Sequence, residues 1–153
     1  MFWLLHLLFS FLSSFFFAVI FDAPKRLFVS AGIVGSCGWM VFEVLNYHYS
    51  MNAIYASMFG SLILGIVSHL MARFHKEPVI IFMVPGIIPL VPGGVAFDAT
   101  KNLIILNYGK AMNLMFEVTL VAGAIAVGLL FADQLSKFLI SKPKRKSHDK
   151  RPV

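Results

Sequence analysis

Two carboxylates and one histidine lie in or at the edge of apolar stretches: Glu43, Glu117 and His69. An ionisable group at membrane depth is costly and marks an ion or proton path by default. A histidine titrates near neutral pH and can hand a proton on. Spacing says which way the carboxylates face. Glu43 follows Ser36 by seven residues and Gly32 by eleven, and Glu117 precedes Ala124 and Gly128 by the same two intervals. At 100° per residue each set shares one helix face, and faces of small residues point at protein in a bilayer. Glu43, Glu117 and His69 are therefore the expected proton-coupling residues. The competing expectation is that the two glutamates are wetted helix ends and that His69 is a packing residue.

A second group of residues does chemistry through the backbone. Pro85, Gly86, Pro89, Pro92, Gly93 and Gly94 fall within one apolar stretch. Each proline lacks an N–H, and its ring clashes with the carbonyl four residues back. No continuous helix passes through three of them. Irregular backbone at membrane depth is tolerated only where it is buried in protein or lines an aqueous cavity. Discontinuous helices of this kind bind substrate in secondary transporters. The six residues are the expected substrate pathway, with a packing kink as the alternative.

Other chemistry finds little support. His6, His48, His75 and His148 show no metal-ligand spacing, so neither a metal nor another cofactor is expected. Nucleophile elbow, P-loop, dinucleotide fingerprint and paired cysteines are all missing from the sequence, and no enzyme activity is expected. Asp133 and Lys137 read as a surface i, i+4 pair worth a few tenths of a kcal/mol.

The elements that must hold these residues follow from composition. Of 153 residues, 59% are hydrophobic and 13% charged, against about 25% charged in a soluble domain. That excludes a soluble globule and a disordered chain, and the single Cys37 excludes a disulfide scaffold. The expected fold is an all-α integral membrane protein of about five transmembrane helices, the fourth broken by the Pro/Gly-rich segment. The spans are about 1–21, 27–45, 53–71, 78–97 and 111–131, within one domain over 1–136. A charged connector with Asp98, Lys101 and Lys110 precedes the last span, and a basic tail covers 137–153. In the third span Ala53, Ser57, Ser61, Gly65 and His69 recur every four residues, which predicts a helix-packing stripe.

The net charge of +6 is concentrated at the C-terminal end, as in a topological anchor or lipid-facing tail, and nucleic acid is not an expected partner. With the N-terminus outside, five crossings put Lys25, Arg26, Arg73, Lys76 and the tail inside. Only Lys101 and Lys110 stay outside, in keeping with the positive-inside rule. Nothing basic precedes the first apolar run, which argues for an uncleaved span over a signal peptide.

Phe21–Arg26, Ala56–Gly60 and above all Pro78–Gly94 resemble the small, five-span subunit of the threonine/serine exporter family, over about residues 15–131. The resemblance implies a bacterial cytoplasmic-membrane exporter of threonine and serine, driven by the proton motive force and completed by a larger five-span subunit. A branch of the family implies dicarboxylates such as succinate instead. Phe97 departs from a tyrosine common after the glycine pair. The reading from another class is a membrane scaffold without its own pathway.

Overall fold

In the first helix the burial pattern is inverted relative to a water-soluble protein. Its buried residues are Ser10, Ser14 and Ala18, while Phe9, Phe16 and Ile20 are exposed. Helices in lipid gain little by burying leucine and much by close backbone approach. The structure, a computed structural model, describes residues 2–140. Regular structure among them is helical: α1 Phe2–Ile20, α2 Phe28–Glu43, α3 Ala53–His75, α4 Ile80–Ile87, α5 Gly93–Ile104 and α6 Tyr108–Ile140. The chain is an all-α multi-pass membrane protein. α1, α2 with the helical turns that flank it (Lys25–His48), α3 and α6 are each long and apolar enough to cross, and α4 with α5 makes a fifth crossing if the bent pair is one span.

Glycines set the helix seams. A Cβ on Gly32 would strike the Phe11 ring, joining α2 to α1. Gly38 and Gly60 bring α2 against α3, where a Cβ on either comes within 3.2 Å of the other's carbonyl. The third-span stripe then packs on α6: Gly65 lies against Ala132, and Gly128 lies against Ser61 and Met58. Residue numbers rise together along that seam, so α3 and α6 are parallel. The chain between them must therefore travel from one end of the bundle to the other. α4 and α5, bent by 53° at their junction, together make that traverse.

The bend has a visible cause. After α4, Ile88–Leu90 tighten into a 3₁₀ turn and Val91 is extended. Pro92 (φ −75°, ψ 52°) then centres an inverse γ-turn, closed by the Gly93 amide donating to the Val91 carbonyl at 2.7 Å. α5 does not stop before the charged connector but runs through Asp98 and Lys101 to Ile104. Asn102 is buried there and donates to the Asp98 carbonyl at 2.7 Å. α6 is also longer than the apolar run from which it was expected. Its 33 residues reach roughly 50 Å, so the helix enters the basic tail. The remainder of that tail lies outside the described residues.

Three helices end in the same way. Asp22, Lys76 and Leu106 take left-handed φ of 54°, 57° and 62°. The amide after each donates to a carbonyl five residues back, from Ala23 to Ala18, Glu77 to Ala72 and Asn107 to Asn102. These are Schellman stops built without glycine.

Candidate functional site: a broken span between two cavities

The broken span lies against α1 and α2. At its waist Ser14, Gly35 and Gly86 converge: a Cβ on Gly35 would collide with the Ser14 hydroxyl and reach within 3.2 Å of the Gly86 carbonyl. Ser14 is fully buried, and its hydroxyl has no hydrogen-bond partner among the described residues. A cavity lies on each side of this waist. One, of about 490 Å³ and mainly apolar, is lined by Phe2, Leu5, His6, Phe9, Ser10, Ser13, Trp39 and Pro89. The other, of about 260 Å³, is lined by Phe21 to Pro24, Ile80, Ile81, Val84 and Pro85. Pro85 and Pro89 thus face opposite cavities, one on each side of Gly86.

Glu43 belongs to the larger cavity's end of the bundle. Its carboxylate is 3.8 Å from His6 Nδ1, with the Glu43 side chain 13% exposed. Trp39 Nε1 donates to the same His6 nitrogen at 3.3 Å, and the two rings stack. In this contact the Nδ1 lone pair of His6 is the acceptor for the indole N–H. Directly after Glu43 the helix widens into a π turn over Val44–His48, a distortion frequent at functional sites.

The other expected residues are distributed differently. Gly86 is tightly packed, since a Cβ there would meet Val34 at 2.9 Å. A Cβ on Gly93 or Gly94 would meet nothing within 4 Å, and among the described residues no glycine has a positive φ. Neither of these two glycines is required by the chain's own packing. Pro92 sits in the γ-turn that launches α5, and α5 has no side-chain cap on its first amides. Glu117 is exposed on α6 and does not join the cavity. His69 lies at the opposite end of the bundle, where its Nε2 is 3.3 Å from Asp133 Oδ1 and its Nδ1 is 2.9 Å from the Gly65 carbonyl. Asp133 in turn accepts from Lys137 Nζ at 2.5 Å. The structure thus brings Glu43 to within 3.8 Å of His6, which lines the broken span's cavity, and leaves Glu117 and His69 apart from it. His6, Trp39 and Asp133 are the functional candidates that spacing along the sequence did not single out.

The sequence profile of the family described as "Threonine/Serine exporter, ThrE" matches residues 6–135. The chain belongs to the threonine/serine exporter family. That is a family of transporters, so the broken fourth span sits in an exporter-type membrane protein. An uncharacterized protein of Haemophilus influenzae is 27% identical over an alignment of 122 residues that covers 74% of this chain and 40% of that relative. The chain therefore spans well under half of the relative's length. No solved structure matches it.

Proposed function

We propose that the protein is a subunit of a secondary-active exporter that moves threonine and serine out of the bacterial cytoplasm on the proton motive force. A larger five-span subunit supplies the rest of the pathway. The N-terminus is outside and the C-terminus cytoplasmic. The observation that carries this reading is the broken fourth span, with its cavities on either side of the Ser14–Gly35–Gly86 waist. A narrow point between two cavities is what a path opening to alternate sides needs.

The chemistry of the break suits a zwitterion. Pro85 and Pro89 cannot donate to the carbonyls of Ile81 and Pro85, so these oxygens lack their usual helical donor and can turn to a cation. The first amides of α5 carry the positive end of the helix dipole and suit a carboxylate. Glu43, beside His6, supplies a carboxylate for a proton or an ammonium group. The relative's greater length fits a pathway that needs more helices than this chain holds.

Gly93→Val tests the pathway role directly, because the side chain has room within this chain. Membrane level should be unchanged, while threonine efflux from cells expressing both subunits falls tenfold or more, equivalent to about 1.4 kcal/mol. Efflux equal to the parent's would leave the break as a packing kink and favour the scaffold.

A further inference from the structure

At the end of the bundle opposite Glu43, the geometry around His69 demands a proton. The Gly65 carbonyl can only accept, so the ring's Nδ1 must donate to it at 2.9 Å. The other nitrogen, Nε2, faces Asp133 Oδ1 at 3.3 Å. Neutral histidine carries one ring proton, already committed to Gly65. Its Nε2 lone pair would then point at a carboxylate oxygen, acceptor against acceptor. The contact becomes attractive only when a second proton sits between Nε2 and Oδ1. Lys137 donates to the second oxygen, Oδ2, of Asp133 at 2.5 Å, which favours the ionised carboxylate and places that proton on the ring.

We infer that His69 and Asp133 form a proton-binding site across the α3–α6 seam, with Asp133 as the positioning residue that holds the His69 proton. A proton from the aqueous phase at this end binds Nε2 and makes an imidazolium–carboxylate pair; its release returns the proton to water and turns the contact repulsive. The seam beside it is fixed by Gly65 against Ala132, so the charge change acts on the last turns of α3 and α6. An access route is present. A cavity of about 330 Å³ is lined by His69, Arg73, Lys76, Glu77, Ser136 and Lys137. The charged groups facing the site are therefore Asp133 and Lys137 from α6, Arg73 from α3, and Lys76 and Glu77 just beyond α3, with Glu77 also paired to Arg26. His69 is 15% exposed and Asp133 35%, so the pair is within reach of water but not dissolved in it.

The site stands on this geometry alone; only its service in export rests on the proton-coupled reading above. The test is a pH titration of histidine ring ¹⁵N shifts in the full chain in lipid nanodiscs, with His69→Gln identifying the His69 signal. Asp133→Asn removes the carboxylate, and the His69 midpoint should fall by about one unit or more. Lys137→Met removes a competing cation and should raise it. Asp133→Glu should restore the parent's titration. Unchanged signals from the other histidines report that each variant keeps its fold. An unmoved midpoint in Asp133→Asn overturns the site, and so does an unmoved midpoint in Lys137→Met should Asp133→Asn not fold. Threonine efflux of the same variants separates the two readings. Shifted midpoints without any efflux in the parent would uphold the proton site and count against the exporter reading.

Discussion

At the scale of single residues, the two glutamates that spacing makes equivalent occupy different surroundings. Glu43 faces His6 beside the larger cavity, and Glu117 is exposed on α6. An ideal helix puts Glu117 on the face of Gly128, yet Gly128 is packed on Ser61 and Met58 of α3 while Glu117 is exposed. Sequence spacing fixes which residues share a face; it does not fix how far along the helix a neighbour extends. The difference predicts different phenotypes. Glu43→Gln keeps the side chain's shape and removes its charge, so gradient-driven threonine efflux should fall several-fold and lose part of its pH dependence while the two subunits still co-purify. Glu117→Gln, on an exposed face of α6 that the proposed partner subunit can reach, should alter subunit association before it alters the pH profile. Efflux and co-purification measured over a pH series check both. A parental pH profile in Glu43→Gln would make it an ordinary helix-end carboxylate.

At the scale of elements, the packing stripes are the most legible part of the chain. Ser57, Ser61 and Gly65 repeat every four residues because a helix returns to the same face at that interval, and the stripe seats against Gly128 and Ala132 as its composition requires. One more step along both stripes pairs His69 with Ser136, whereas the contact His69 makes is with Asp133, one residue past Ala132. The stripe thus carries His69 to this end of the seam but not to its partner, and as a pair along one helix Asp133 and Lys137 look like surface charges. The cavity with His6 and Trp39 was not legible, because it depends on how α1 leans on α2 and no periodicity within either helix encodes that. The proline break was legible as a break, while its sharpness comes from the γ-turn at Pro92. Two glycines of α6 test the seam. Gly128→Val drives a side chain into Ser61 and Met58 and should destabilise the fold by about 1–3 kcal/mol. Gly123→Val meets nothing within 4 Å in this chain and should leave its unfolding unchanged. Unfolding of the purified chain in mild detergent distinguishes the two; equal stability would mean that the α3–α6 seam is not formed as described.

At the scale of the whole molecule, most of the basic residues and the tyrosines gather at opposite ends. Lys25, Arg26, Arg73, Lys76 and Lys137 gather at the end where Arg26 pairs with Glu77 and His69 meets Asp133. Tyr47, Tyr49, Tyr55 and Tyr108 are all exposed at the other end, together with Trp3, which contacts Tyr47. Tyrosine and tryptophan favour the membrane–water interface, and lysine and arginine are enriched on the cytoplasmic side. The basic end is accordingly predicted to be cytoplasmic. The parallel run of α3 and α6 adds a constraint that charge alone does not supply. Were the bent pair a re-entrant loop, Lys110 would lie on the side of Lys25, and α6 would have to run against α3. Cysteine labelling of intact cells reads both statements at once, in a Cys37→Ser background that removes the native thiol. Ser50→Cys and Lys110→Cys should react with a membrane-impermeant maleimide from outside, and Lys25→Cys only after the membrane is opened. Labelling of Lys25→Cys from outside would invert the orientation. Protection of Lys110→Cys with Ser50→Cys labelled would mean that α4 and α5 do not cross, which the Gly65–Ala132 and Ser61–Gly128 contacts could not then accommodate.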